Sequence, residues 1–399
     1  MRCFRSLLVV SILALAACGA RSNSPTLPTQ TSPAVPADDL AKIKAGAKPV
    51  DAKNSALEAK DPRVHDLDII RIRATSKGVG GEREMDTVAT ADLFKQANEA
   101  AKAGLTKDAI ARYRQLVTEF PDSQYAPVSL FNIAAVYDRQ GDMTSTITTL
   151  NELITAYPAS RESIDGHLYI AALQAEKKLW PDTVKTLDAA LARASLTFTD
   201  RIEAHARRGY ALLEQKQYDA ADLALAASID AWRRAPRIDD PYYIAMAYYY
   251  RGELLHRKFA DAPVRLPDDR LVADLEAKRV IAVQAYDRWK ESLGFKHAYW
   301  ATASGYQMSQ IFVELWEITV KAPYPKRIDM ATRPKYVTEV HDRVREHLEK
   351  ALEGHKMNVE LAKAYGVSTP WSKGSEQQAM KVMELLAKDA KGSYVTPAN

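Results

Sequence analysis

Cysteine is almost missing from this chain. Its 399 residues include two, Cys3 and Cys18, both near the N-terminus. The body therefore holds no disulfide and no thiolate metal site, in whatever compartment it works. The short spacings that mark enzymes are missing too: there is no HExxH, GxSxG or CxxC and no glycine-rich phosphate loop. SKGVGG at Ser76–Gly81 lacks the order of a phosphate loop and reads as a turn. The eight histidines fall outside ligand spacings. His341 and His347 are six residues apart and do not share a helix face. His347 and His355 share one, but two turns apart they do not chelate one ion unaided, and these histidines read as surface residues. A strong charge bias is also lacking. The net charge is +4 from 55 basic and 51 acidic side chains, without the basic stripe of a nucleic-acid binder. A composition 47% hydrophobic and 27% charged excludes disorder over most of the length.

The N-terminus does carry a signal. Arg2 and Arg5 precede an apolar run from Leu7 to Ala17, too short for an ordinary membrane span. The run ends in Leu15-Ala16-Ala17-Cys18-Gly19, which resembles the bacterial lipobox. That resemblance implies cleavage before Cys18, a diacylglyceryl group on its sulfur and an acylated amine. Two or three acyl chains anchor stably where one does not. Gly19 rather than Asp after the cysteine points to the outer membrane. From Arg21 to Ala37 the sequence RSNSPTLPTQTSPAVPA has no apolar face and reads as a disordered tether. Asp38 to Asp61 is Ala- and Lys-rich and transiently helical in this reading. Asp66 to Ala74 alternates apolar and polar as a short strand does. As a coil the tether reaches roughly 40–50 Å.

From Leu93 to Pro158 one pattern occurs twice. Leu93, Ala97, Ala100, Gly104, Ala109, Ile110, Tyr113, Leu116 and Pro121 are followed by Leu130, Ala134, Tyr137, Gly141, Thr146, Ile147, Leu150, Leu153 and Pro158. Gly104 to Gly141, Ile110 to Ile147 and Pro121 to Pro158 are each 37 residues apart. The small residues suit close helix packing, the glycines a helix end, and the prolines a stop. A third copy keeps the spacing through Ile170, Ala171, Lys178, Val184, Leu187 and Ala190. A fourth runs through Gly209, Leu212, Lys216, Tyr218, Ala221, Leu225 and Ser228. A fifth first helix carries Tyr248, Arg251, Gly252, Leu255 and Phe259. Beyond it the proline-rich loop DAPVRLPDD at Asp261–Asp269 interrupts the pattern, and helices are expected over Leu271–Leu293, Ala298–Val320, Lys335–Tyr365 and Ser375–Lys391. The tyrosines from Tyr242 to Tyr250 read mainly as packing residues, and Trp289, Trp300 and Trp316 as core.

The unit resembles the tetratricopeptide repeat (TPR), a helix-turn-helix module. The expected fold class is all-α, a TPR-type α-solenoid of antiparallel helix pairs behind a disordered N-terminal tether. The expected organisation is a signal peptide over 1–17, lipidated Cys18 and linker over 18–87, four repeats over 88–235, divergent repeats and capping helices over 236–391, and a tail over 392–399. The closures Phe120-Pro121-Asp122-Ser123 and Tyr157-Pro158-Ala159-Ser160 resemble those of tetratricopeptide lipoproteins of the Gram-negative envelope, including the one of the β-barrel assembly machinery. The stretch Tyr299 to Pro325 resembles large repeat lipoproteins of myxobacteria, some of which serve gliding motility.

What this resemblance implies is a concave face lined by the first helix of each pair. Carried over by position, the partner-binding residues are Phe94, Asn98, Lys102, Phe131, Asp138, Arg139, Leu168, Glu176, Tyr210, Glu214, Met246, Tyr249 and Glu253. A mixed aromatic and charged lining suits an extended peptide or a partner helix. Asn98 and Asn132 fall on slots of a two-carboxylate clamp, but Phe94, Asp165 and Tyr169 stand where its basic residues are needed. The expected function is a non-enzymatic scaffold, an outer-membrane lipoprotein facing the periplasm that gathers envelope proteins or peptides. It needs no cofactor, metal, nucleic acid or small-molecule ligand. An accessory role in cell-wall or β-barrel assembly is the second reading, and a hydrolase in the distal half the third.

Overall fold

The computed structural model describes residues 70–76 and 83–397. The signal peptide, Cys18, the Ser/Thr/Pro tether and the last two residues lie outside the described residues. Strand β1 (Ile70–Ser76) pairs antiparallel with β2 (Arg83–Ala89), with Ile70 opposite Ala89 and Ser76 opposite Arg83. Of the strand expected at Asp66–Ala74, the described part from Ile70 onward lies in β1. Its partner lies in a stretch expected as linker, because REMDTVA alternates only weakly. β2 runs directly into the first helix.

The chain divides into two compact units, one ending at Thr197 and one beginning at Phe198. The first unit holds three helix pairs: α1 (Thr90–Lys102) with α2 (Thr106–Glu119), α3 (Tyr125–Arg139) with α4 (Met143–Ala156), and α5 (Arg161–Glu176) with α6 (Trp180–Leu191). Each first helix ends in the same hydrogen-bonded cap. After α1, Gly104 N–H donates to Ala101 C=O and Leu105 N–H to Ala100 C=O. After α3, Gly141 donates to Asp138 and Asp142 to Tyr137. After α5, Lys178 donates to Ala175 and Leu179 to Gln174. Two otherwise orphaned carbonyls are satisfied each time. The central residue must be left-handed, with φ of 75° at Gly104 and Gly141 and 58° at Lys178.

The aromatic-Pro-x-Ser closures work as a stop and a start. Phe120 and Tyr157 N–H donate to Leu116 and Leu153 C=O, ending α2 and α4. Proline then forbids another turn. Ser160 accepts from Ser163 N–H and caps α5, while Ser123 accepts from Tyr125 N–H at the start of α3. Between the helices Ala97, Ala109, Tyr113, Leu116, Ala134, Leu150, Leu153, Ala171 and Leu187 are fully buried, as the shared spacing requires.

The second unit holds α7 (Phe198–Glu214), α8 (Tyr218–Arg234), α9 (Tyr242–Asp261), α10 (Asp268–Gly294), α11 (Ala298–Val320), α12 (Arg333–Ala364) and α13 (Pro370–Ala390). The turn after α7 repeats the cap, with Lys216 at φ 60° and Gln217 N–H donating to Leu212 C=O. Glycine now occupies the helix-contact slot that alanine holds in the first unit. A Cβ on Gly209 would lie 2.5 Å from Leu225, and one on Gly252 2.4 Å from the Trp289 indole nitrogen. Trp289, Trp300 and Trp316 are core, as expected. The histidines expected at the surface are not there: His341, His347 and His355 are all buried. Their helix, α12, packs on α11 and α13, and the three rings are on its buried side while Glu346, Glu349 and Glu353 are exposed.

Candidate protein-binding face

The thirteen residues carried over by position separate by unit. In the first unit, Lys102, Arg139 and Glu176 are the last helical residues of α1, α3 and α5. These three helices lie side by side, so the three side chains form one row at their C-terminal ends. Lys102 and Arg139 are both exposed, and Glu176 is half-buried. A cation at a helix C-terminus complements the backbone dipole, and the Arg139 guanidinium also donates to Ala135 C=O at 3.2 Å. Asp138 is half-buried beside this row. Burial pushes the Tyr169 phenol well up, and the negative charge of Asp138 adds to the effect.

Other predicted residues of this unit are structural. Phe94 is buried and stacks on Tyr125 at 5.0 Å. Phe131 is buried against Tyr169 at 6.0 Å, and Leu168 is buried. They therefore do not line an open groove: bulky side chains at these slots fill the space between neighbouring first helices. Asn98 does not act as a clamp. Its side-chain oxygen accepts from Tyr113 OH at 2.5 Å and from Asn132 Nδ2 at 3.3 Å. Asn132 also donates to the Tyr113 oxygen, so the two amides tie α1, α2 and α3 together.

In the second unit the predicted residues converge but are closed over. Tyr210, Met246, Tyr249 and Glu253 are buried. Tyr210 stacks on Tyr250 at 4.4 Å. Tyr249 packs on Trp300 at 5.2 Å and near Trp371 at 6.1 Å. Aromatic volume from α9, α11 and α13 thus occupies what position alone assigns to a concavity. Glu214 accepts from Arg257 at 2.5 Å, and the same guanidinium donates to Leu213 C=O. All five residues are therefore core or engaged within the chain, not the open lining that position assigns to them.

Sequence reasoning missed the polar network beneath those rings. Gln307 Nε2 donates to Glu253 at 2.6 Å. His256 Nε2 lies 2.7 Å from Glu314 Oε2, and Gln310 Nε2 donates to Glu314 Oε1 at 2.7 Å. The Lys278 ammonium reaches the carbonyls of Phe259 and Ala260 at the end of α9 and sits 4.7 Å from the Phe259 ring centre. Burial pushes the Glu253 carboxyl above its ordinary range. At His256 burial opposes the charged ring, yet Glu314 and Glu253 hold its pKa above the ordinary value. Burial lowers Lys278. The spacing Glu253-Leu254-Leu255-His256 was the available signal, since residues three apart share a helix face. Among the described residues no group of three or more His, Cys, Asp or Glu side chains is arranged to hold a metal ion. No described helix is long and apolar enough to cross a membrane.

Stacked antiparallel helix pairs, with α1, α3, α5 and α7 capped through a left-handed residue, define a helical array of the tetratricopeptide type. Residues 86–206 match the model of the YfiO family, described as outer membrane lipoprotein. Over that stretch the chain is similar to lipoproteins built on such a scaffold, and the localisation expected from the N-terminus is the one this family carries. Among solved structures the chain is similar to a tetratricopeptide repeat protein from Parabacteroides merdae ATCC 43184, at 11% identity and a TM-score of 0.34, covering 74% of this chain and 98% of that one. No curated protein matches the chain.

Proposed function

We propose that this protein is a non-catalytic scaffold, held by lipid on Cys18 at the periplasmic side of the outer membrane, that gathers protein partners of an envelope complex. The observation that carries the reading is the row Lys102, Arg139 and Glu176 at the ends of three adjacent first helices. Three such ends, cationic, cationic and anionic, offer a charge pattern for an acidic or mixed-charge segment of a protein. The tether sets the effective concentration of that face near the membrane. In the second unit the buried Glu253 and His256 and the half-buried Glu314 are engaged by Gln307, Gln310 and one another beneath aromatic rings, which favours a structural role for them over hydrolysis. The likeness of Tyr299 to Pro325 to motility lipoproteins makes a motility complex one form of the envelope machine. Accessory work in cell-wall or β-barrel assembly is another.

Crosslinking in intact cells with the double variant Lys102→Glu/Arg139→Glu tests the reading. Loss of a crosslinked protein partner at unchanged helix content is expected. Recovery of the same partners in the same amount would remove this face from the function. The identity of the partners separates motility from assembly, and pelleting with purified peptidoglycan would mark the cell-wall role. The variant Cys18→Ala is expected to leave the membrane fraction for the soluble periplasm; retention in the membrane would refute the anchor.

A further inference from the structure

The final helix ends in a left-handed cap. Gly392, at φ 70°, donates to Asp389 C=O, and Ser393 N–H donates to Lys388 C=O. Past this cap the chain lies against α12. There Val395 packs on the apolar cluster that includes Trp316, Val340, Val344 and Val382. The polar anchor of this segment is His341 of α12. Its Nδ1 faces both carboxylate oxygens of Asp389, at 3.0 and 3.1 Å. Its Nε2 faces the carbonyl oxygen of Val395 at 2.8 Å. The His341 and Asp389 side chains are 1% and 5% exposed. The Trp316 indole meets the imidazole edge-on at 5.7 Å, and the Tyr394 ring lies 4.6 Å away.

Both nitrogens therefore face groups that only accept. A neutral imidazole has a single N–H, and an imidazolium has two. With a neutral ring, one of the two contacts would set lone pair against lone pair inside a buried site, where unpaired polar groups are most costly. We propose that doubly protonated His341 is a proton-gated latch that ties the C-terminal tail to the last helix pair. When the ring loses one proton it keeps its N–H on the stronger acceptor, the Asp389 carboxylate, and releases the Val395 carbonyl. The tail then leaves, and part of the apolar end of the array opens to solvent. The groups facing the ring are Trp316 from α11, Asp389 from α13, and Tyr394 and the Val395 carbonyl from the tail. Asp389 is the charged one among them.

Hydrogen exchange on the full chain, read by mass spectrometry between about pH 5.5 and 8.5, tests the latch. After correction for intrinsic exchange, protection of the amides of Gly392 and Ser393, which donate to Asp389 and Lys388 C=O where the tail begins, should fall with rising pH. The fall should approach about tenfold per pH unit, the linkage of one proton. Nitrogen NMR of labelled histidine should show both ring nitrogens of His341 protonated at the low end, one losing its proton as the tail loosens. His341→Gln should flatten the profile. Asp389→Asn removes the charge that holds the cation and should move the fall to lower pH. A flat wild-type profile, a single N–H at low pH, or an unchanged profile in either variant would overturn the proposal.

Discussion

The two units use one repeat for different ends. In the first, the repeat slots are filled by alanines, and the charged residues closing α1 and α3 reach water. In the second, the helices lengthen, glycine replaces alanine at two contact slots, and Leu225 and Trp289 fill the resulting space. Trp289 and Trp300 are 0% and 1% exposed. The helix-end position that gives the first unit a polar rim holds Glu214 in the second, half-buried against Arg257. Position along a repeat thus fixes which neighbour a side chain meets, while side-chain volume decides whether a groove remains there.

The largest test of this contrast is Trp289→Ala. Removing a fully buried indole should destabilise the second unit by about 3–5 kcal/mol, read by hydrogen exchange in α9 and α10. Lys102→Ala in the first unit should stay within about 0.5 kcal/mol, as exposed substitutions do. Similar losses from both would erase the distinction between an open rim and a closed core.

Acid should separate the units next. Burial holds His355 down to about 3 and, with help from the Lys350 charge, His347 down to about 4. Depressed histidines stabilise the fold above their unfolded pKa of about 6.5, and that contribution is lost as pH falls toward the folded values. Each pH unit separating the folded from the unfolded value is worth about 1.4 kcal/mol, so on acidification to the folded values His355 withdraws roughly 5 kcal/mol and His347 roughly 3 kcal/mol from the second unit. The first unit has His167, lowered by burial but helped toward its charged form by Ser163 C=O. His256 and Glu253 have raised values, so their contributions are present at low pH and are lost as pH rises through the folded values. Exchange rates across the pH range should show the second unit losing stability on both sides of neutrality, and His355→Phe should relieve the acid side. A second unit indifferent to acid would show that these rings are hydrated rather than sealed.

The contact slot offers a smaller and more local comparison. Gly252→Ala places a methyl against the Trp289 indole, which is packed on all sides and has little room to move, so a loss of about 1–3 kcal/mol is expected. Ala134→Gly in the first unit should lose about 1 kcal/mol through helix propensity alone. Urea midpoints measure both. A neutral Gly252→Ala would mean that the indole shifts freely.

How much of this was legible follows from what repeats. The caps at Gly104 and Gly141 and the prolines at Pro121 and Pro158 mark helix ends by backbone rules, and those rules hold in the structure. The helix over Ala298–Val320 was readable because its apolar residues run its whole length. The burial of Tyr249 and Glu253 was not readable, since it depends on Trp300 and Gln307 some fifty residues on. The buried histidines of α12 were hidden for the same reason: a lone histidine looks alike on a wet face and against Trp316. β2 escaped because a seven-residue strand with weak alternation leaves a faint trace.

The smallest effect tests the feature the two units share. Lys178 and Lys216 stand where Gly104 and Gly141 stand in the earlier repeats, with φ near 60°. A left-handed conformation costs an L-residue roughly 1–2 kcal/mol, while glycine returns about 0.5–1 kcal/mol of that through the freedom of its unfolded chain. Lys178→Gly and Lys216→Gly should therefore each stabilise by about 0.5–1 kcal/mol, one in each unit. Equal gains would show that the cap is the same device in both, whatever lies beneath it. A gain at Lys178 with a loss at Lys216 would show that the second unit draws on the lysine side chain itself, and its departure from the repeat would then begin at α7.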